Sequence, residues 1–246
     1  MISRRKFIQT SAVISALATF PIGSLAIPGP EFKFDPESPL IPAPGKPTDW
    51  PEFRKRLAVW QKRKRRELNY SDKPYRRPEF AWARRCFACN FLMLFDEAFY
   101  DYRRNVFKVK SYLDQGRREF GGYDAVVLWH AYPRIGFDER NQFDFYRDQP
   151  GGLPGLRKLV GALHKREVKV FIDYNPWDTG TRREGVSDVD ALVEIVRAIG
   201  ADGIFLDTMD QGAAALRAKL DSVRPGLVLE SEGALPLERI HDHHLS

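Results

Sequence analysis

The sequence predicts a parallel α/β fold, and three observations support this. From Arg85 onward, short apolar runs alternate with helical patterns, and continuous apolar runs indicate buried parallel strands. No Gly-rich phosphate loop follows the first strand, which disfavours a nucleotide-binding doubly wound sheet. Each run ends in an ionisable residue, and in a (β/α)8 barrel of the TIM type such residues share one rim, where the active site lies. We therefore expect a TIM-barrel-type α/β fold with about five βα units present, the doubly wound sheet being the alternative.

The five predicted strands each end at one polar residue. They are Phe91–Phe95 before Asp96, Ala125–Trp129 before His130, Val168–Ile172 before Asp173, Gly203–Leu206 before Asp207 and Leu227–Leu229 before Glu230. Helical spacing of apolar residues predicts helices around 156–164, 189–199 and 214–220, with Ser187 as a cap and Gly200 as a stop for the second.

The length of the barrel region is short for this fold. Residues 86–246 hold five units, whereas eight units need about 250 residues. Either the barrel is truncated or the fold closes with fewer strands, and truncation is the preferred expectation.

The first 26 residues predict a targeting segment rather than part of the fold. A basic start precedes the apolar run 11–20 and small residues at 23–26. Ser3-Arg4-Arg5-Lys6-Phe7 resembles the twin-arginine export signal, which implies a periplasmic or extracellular protein that meets the inner membrane only during export. The alternatives are a chance Arg-Arg pair before a signal anchor, or an ordinary secretory signal. No later stretch is apolar enough to span a membrane.

The positive charge of the chain is local. The net charge of +6 at pH 7 hides thirteen Lys or Arg against four acids in residues 52–85, while residues 86–246 are net acidic. The Pro-rich stretch 27–51 predicts an extended linker. The basic band 52–85, a predicted amphipathic helix and extended segment, suits a nucleic-acid arm or a helix docked on the domain 86–246. Because Phe53, Leu57, Trp60 and Leu68 recur near helical spacing, we favour the docked helix and expect no nucleic-acid partner.

Two strand ends carry carboxylates suited to acid–base chemistry. Asp207 follows a buried strand, and Glu230 and Glu232 lie two residues apart on the next. Glycoside hydrolysis needs one carboxylate near the anomeric carbon and one acid at the leaving oxygen. Neighbouring strands about 4.8 Å apart can bring such groups together.

Residues 171–177, 203–207 and 229–230 resemble the consecutive strand ends of TIM-barrel glycoside hydrolases. The α-amylase superfamily is the nearest pattern, followed by α-galactosidase-like families. The resemblance implies that Asp207 is the nucleophile of a retaining mechanism, that Glu230 is the acid/base, and that Asp173 and Asn175 support the sugar subsite. Two features depart from the pattern: Phe205 stands where the family has an Arg, and the strand-seven Asp has no counterpart. In the α-galactosidase-like families the acid/base lies on strand six, which has no counterpart here either.

The long segment 130–146 is aromatic and polar, as a carbohydrate-binding wall would be. Its aromatic residues could instead pack over the barrel. The residues predicted to contact substrate are Trp129, His130, Tyr132, Asp173, Asn175, Trp177 and Glu232. Asp173 and Asp207 could also be buried helix caps, and Glu232 a loop charge.

The remaining chemical groups predict no cofactor and no metal site. Cys86 and Cys89 have C-x-x-C spacing at a strand start, where buried free thiols are expected. His241, His243 and His244 are expected to lie exposed at a frayed end. The sequence thus predicts an exported glycosidase acting on a carbohydrate if the barrel is complete, or else a non-catalytic carbohydrate-binding or degenerate barrel. It leaves the oligomeric state open.

Overall fold

The computed structural model describes residues 32–36, 38, 40–130, 138–177 and 182–245. The predicted signal at 1–26, part of the linker 27–51, and Tyr132 lie outside the described residues. The chain divides into two compact units, one ending at Glu67 and the other beginning at Leu68. No helix in the described part is long and apolar enough to cross a bilayer.

The first unit contains helix α1, Trp50–Glu67. Phe53 is its one buried residue, and its ring packs edge-on against those of Phe32, Phe34 and Trp50. Most other side chains of α1 are exposed, including its long basic run from Lys62 to Arg66, apart from half-buried Lys64. The predicted helix in the basic band is therefore present.

The second unit is built on one parallel sheet. Its strands are β1 Cys89–Met93, β4 Ala125–Trp129, β5 Lys169–Tyr174, β6 Gly203–Leu206 and β7 Val228–Ser231, in the order β1-β4-β5-β6-β7. A small antiparallel pair, β2 Tyr100–Asp101 and β3 Val106–Phe107, follows β1. All five expected strands are thus confirmed within two residues at each end, although Asp173 and Glu230 lie inside their strands rather than after them.

The helices cover one face of this sheet. They are α2 Val109–Phe120, α3 Gln142–Arg147, α4 Gly152–His164, α5 Asp188–Ile199 and α6 Ala214–Val223. Their apolar residues form the main core with the outward-facing strand residues, such as Val126, Ile172 and Ile204. Because the strand order never reverses, the sheet has no topological switch point. This arrangement agrees with a partial barrel and disagrees with a doubly wound sheet.

The opposite face of the sheet is concave and carries a smaller core. Phe80, Ala125, Val127, Phe171, Phe205 and Val228 form it. Phe91 on β1 and Phe205 on β6 have ring centroids 4.6 Å apart, although their strands are separated by two others. In a flat sheet, three spacings of about 4.8 Å would hold these strands too far apart for such contact. The sheet is therefore curved as a barrel wall is.

Gly203 makes room for the Phe171 side chain of this concave core. It pairs in register with Phe171, and a Cβ at 203 would overlap the Phe171 ring. Alternating small and large residues across neighbouring strands is how narrow barrel interiors are filled.

Two sequence expectations about burial are wrong. Cys89 is exposed and Cys86 half-buried, both as free thiols, because β1 is an edge strand whose concave side is incompletely covered. Burial, followed by the charges of Asp124 and Glu230, raises the pKa of Cys86 to about 11, so this thiol stays protonated near neutral pH. His243 is buried and His241 and His244 are half-buried rather than exposed at a frayed end, because segment 237–245 folds back along the β7 edge, where Leu245 pairs with Glu230.

Candidate active site

The carboxyl ends of β4 to β7 carry most of the residues that the sequence singles out. His130 directly follows β4, Asp173 lies near the end of β5 with Asn175 just beyond it, and Asp207 follows β6. All four side chains are buried, with at most 5% of their surface exposed. Trp129 is half-buried and Trp177 is 48% exposed.

The short helix α3 fixes the ends of β4 and β5. It begins with a capping box in which the Asn141 side chain accepts from the Phe143 and Asp144 backbone N–H groups, while the Asp144 carboxylate accepts from the Asn141 N–H. The Asn141 side-chain amide also donates to the Arg182 carbonyl at 2.9 Å and to Glu184 Oε1 at 2.7 Å. These bonds tie α3 to the loop that follows β5.

The aromatic residues of α3 are buried in the protein rather than exposed at its surface. Phe143, Phe145 and Tyr146 each have 1% of their surface exposed. Among the described aromatic residues of the segment 130–146, these three therefore pack over the sheet, as the alternative expectation has it, and do not line a wall open to a carbohydrate. Their burial anchors a polar helix against the strand ends.

The Tyr146 hydroxyl joins three backbone and side-chain groups. It donates to the Leu128 carbonyl at 2.8 Å and accepts from the Asp173 N–H at 2.8 Å, and it lies 3.1 Å from His130 Nδ1. With the hydroxyl proton directed to the nearer carbonyl, that of Leu128, we assign the imidazole proton to His130 Nδ1, which then donates to Tyr146. Complete burial lowers the pKa of His130 to about 3, so this imidazole is neutral near pH 7. Its Nε2 is then a buried acceptor, with no partner among the described residues.

Gln142 positions Asn175, which in turn holds Asp207. The Gln142 amide donates to the Asn175 carbonyl at 2.6 Å and accepts from the Asn175 N–H at 2.9 Å. Asn175 Nδ2 then donates to Asp207 Oδ2 at 2.7 Å. An amide donor stabilises the charged carboxylate and fixes its orientation. Asn175 Oδ1 is buried without a partner within the described ranges.

The register of β6 and β7 distinguishes the two glutamates. Phe205 pairs with Glu230 and Leu206 with Ser231, which sets Glu232 level with Asp207. The Glu232 N–H donates to the Leu206 carbonyl at 3.3 Å, as that register requires. The Thr208 N–H, however, donates to Glu232 Oε2 at 2.8 Å instead of to a backbone carbonyl. Glu232 is exposed, and this bond stabilises Thr208, whose φ of 59° is left-handed.

Glu230 lies on the concave face, one side-chain layer below Asp207. With a lateral spacing of about 4.8 Å and an axial offset of about 6.6 Å, the two Cα atoms are about 8 Å apart. Side chains of this length can bring two carboxyl groups from such positions to the 5–5.5 Å or so that retention requires. Partial burial raises the pKa of Glu230.

Gln142, Tyr146 and Asn141 are the positioning residues that the sequence reasoning missed. The only local signal for them was the Asn-x-x-Asp spacing at 141–144, a variant of a capping box. Within the described residues, no group of three or more His, Cys, Asp or Glu side chains could hold a metal ion.

Comparison with known proteins gives a distant structural likeness only. No protein-family model matches the chain, and no curated protein does. An α-amylase from Geobacillus thermoleovorans, solved with acarbose, is 18% identical with a TM-score of 0.39, the match covering 58% of this chain and 46% of that one. A mutant pullulanase from Paenibacillus barengoltzii, solved with maltotriose, is 17% identical with a TM-score of 0.31, covering 45% and 27%. The chain thus spans less than half the length of either protein.

Proposed function

We propose that the protein acts on a carbohydrate as a retaining glycoside hydrolase, with Asp207 as the nucleophile and Glu230 as the acid/base. The observation that carries the proposal is that two carboxyl groups in different surroundings lie on the same side of adjacent strands. Asp207 is oriented by an amide donor, whereas burial raises the pKa of Glu230. Enzymes that use one carboxyl group as an acid and another as a base give the two groups different surroundings in this way.

In this mechanism, Glu230 donates its proton to the glycosidic oxygen while Asp207 attacks the anomeric carbon. The C–O bond to the leaving group breaks and a glycosyl ester forms on Asp207. Glu230, now ionised, then takes a proton from water as the water oxygen attacks the anomeric carbon. The bond between that carbon and Asp207 breaks, and the sugar leaves with its original anomeric configuration. Glu230 must hold its proton for the first step, and its raised pKa favours that form.

Substrate binding is proposed for the residues around these carboxylates. His130 Nε2 and Asn175 Oδ1 are buried acceptors suited to sugar hydroxyl groups. Exposed Trp177 offers a ring face to a sugar, and half-buried Trp129 is a second aromatic candidate. Asp173 lies next to His130, with Oδ2 3.7 Å from Nδ1. Glu232 acts by holding the loop after Asp207. Tyr132 is proposed as a further substrate contact. The proposal also includes export by the twin-arginine route.

The test is hydrolysis of aryl glycosides and of soluble polysaccharides by the full chain and by Asp207→Asn. Removing the nucleophile should lower kcat/KM by a factor on the order of 10⁴. Asp190→Asn, which changes an exposed carboxylate on α5, is the matched control and should leave the rate unchanged. Equal rates in wild type and Asp207→Asn would refute the proposal.

Glu230→Gln sharpens the test. Loss of the acid should slow the hydrolysis of substrates with poor leaving groups far more than that of activated aryl glycosides. Glu232→Gln should change the two rates of hydrolysis by the same factor. NMR of the first-formed anomer decides between retention and inversion. Sugar binding by calorimetry with no hydrolysis by the wild type would favour the alternative, a non-catalytic carbohydrate-binding or degenerate barrel.

A further inference from the structure

A cleft of about 390 Å³ lies beside the outer edge of β7. Tyr70 and Tyr75 form one wall, and segment 234–245, including His243 and His244, forms the other. The proposed hydrolytic residues do not line it. Its volume is in the range of small-molecule sites.

The walls of this cleft are held by stacked rings and backbone contacts. His241 lies between Tyr70 and Tyr75, with ring centroids 5.1 and 5.8 Å away and interplanar angles of 16° and 28°. The Tyr75 hydroxyl donates to the Ile240 carbonyl at 2.5 Å. The cleft is therefore a built feature with fixed aromatic sides.

Two histidines that line the cleft, His243 and His244, each carry one imidazole N–H group. His243 Nε2 accepts from the Ala213 N–H at 3.0 Å, and His244 Nδ1 accepts from the Leu229 N–H at 2.9 Å. Burial lowers the pKa of both, that of His244 to about 3, so both rings are neutral at pH 7. A neutral imidazole that accepts at one nitrogen carries its proton on the other. His243 Nδ1–H and His244 Nε2–H are buried donors, and neither has a partner within the described residues.

Arg217 places a positive charge behind the same wall. Arg217 as a residue is 9% exposed, and its guanidinium stacks over the Tyr75 ring at 5.4 Å and donates to the His241 and His243 carbonyls. It forms no ion pair with any carboxylate of the described residues. Buried charges are normally paired, so this guanidinium favours a negative charge nearby. Asp242, an acid of the same segment, already pairs with Arg239 at 2.5 Å.

We propose that this cleft binds the oxyanion group, carboxylate or phosphate, of a small polar molecule. The two imidazole N–H groups would donate to the oxyanion, Arg217 would balance its charge, and the tyrosine rings would contact the remainder of the molecule. A metal ion does not fit these side chains, because the lone-pair nitrogens of His243 and His244 are occupied by backbone N–H groups. The proposal does not depend on the proposed hydrolase activity.

Titration of the full-length chain tests the proposal directly. Inorganic phosphate, glucuronate and glucose are titrated at constant ionic strength, and binding is followed by calorimetry and by long-range ¹H–¹⁵N spectra of the histidine rings. The charged probes should bind and shift His243 Nδ1 and His244 Nε2, and glucose should do neither. Saturation by phosphate alone would identify a phosphate site, and by glucuronate alone a carboxylate site. Absence of ring shifts with both anions would overturn the proposal.

Arg217→Met and Arg239→Gln form the matched pair of variants. Each removes one positive charge, but Arg239 is exposed and already paired. Arg217→Met should weaken anion binding about tenfold or more, and Arg239→Gln less than about twofold. Because Arg217 also holds backbone carbonyls, Arg217→Lys, which keeps the charge, is the folding control and should retain measurable affinity. Equal affinity in Arg217→Met and wild type would refute the role of Arg217.

Discussion

The strand ends on the two sides of the candidate site are built differently. At β4 and β5, the buried polar groups of His130, Asp173 and Asn175 are tied to side chains of α3. The described residues that follow β6 and β7 include no comparable inserted helix. Glu230 is half-buried and Glu232 is exposed. The difference separates two tasks: one side provides a rigid frame, and the other keeps ionisable groups within reach of solvent and substrate. The predictions below test that separation.

Tyr146→Phe should lower the free energy of unfolding more than any other substitution considered below. Without the hydroxyl, the Leu128 carbonyl, the Asp173 N–H and His130 Nδ1–H lose a buried partner. Because each unsatisfied buried group costs about 1–3 kcal/mol, the free energy of unfolding should fall by about 3 kcal/mol or more. Urea denaturation followed by circular dichroism measures this loss.

Tyr102→Phe is the control for that experiment. Tyr102 is 55% exposed, and its hydroxyl donates to the Phe95 carbonyl. Its loss should change stability by less than about 0.5 kcal/mol. Similar losses in the two variants would show that the α3 frame is no more rigid than the surface.

The frame on the β4 and β5 side was only half predictable from the sequence. Apolar runs placed the strands correctly because burial on both faces leaves a continuous apolar signature. Helix α3 was missed because six residues are too few to show a helical period, and its polar residues resemble those of a loop. Gln142 and Tyr146 bond to backbone atoms 33 and 27 residues away, and no local pattern encodes such partners.

The candidate carboxylates on the β6 and β7 side were easier to select from the sequence. Asp207 and Glu230 stand directly after apolar runs, so the rule that sites lie at strand ends was enough to select them. The sequence could not separate the roles of Glu230 and Glu232, because these roles depend on register with β6. The burial of His243 and the exposure of Cys89 were misjudged for a related reason: they depend on which segment covers a sheet edge.

Lowering the pH should weaken the frame through His130. Its pKa is about 3 in the folded protein and about 6.5 when exposed, so protonation favours the unfolded chain. The contribution of neutral His130 to the free energy of unfolding is fully present above pH 6.5. It is lost as the pH falls towards 3, by about 1.4 kcal/mol per pH unit, or about 2 kcal/mol at pH 5.

The measurement compares wild type with His130→Gln by urea denaturation between pH 7 and pH 5. The other titrating groups are common to both chains, so the difference in slope isolates His130. The variant should show the shallower pH dependence, even though it is less stable at pH 7. Parallel curves would mean that His130 is not held neutral in the frame.

Glu230→Gln and Glu232→Gln should change the free energy of unfolding least, and the two changes should have opposite signs. Burial raises the pKa of Glu230, so its ionised form destabilises the folded state at pH 7, and neutral glutamine should raise the free energy of unfolding. That gain should vanish at a pH below the ordinary glutamate pKa, where the carboxyl is protonated in both states. Glu232 accepts from the Thr208 N–H, and a carboxylate is the stronger acceptor, so Glu232→Gln should cost less than about 1 kcal/mol.

Thermal denaturation of both variants at pH 7 and pH 4 measures these signs. A carboxyl group that stabilises the fold is a positioning group, whereas one that is kept at a cost to stability is retained for what its proton can do. If Glu230→Gln destabilises the protein at pH 7 as Glu232→Gln does, both glutamates are structural and the division between frame and chemistry fails at β7. If the signs differ, a loss of hydrolysis in Glu230→Gln cannot be attributed to unfolding.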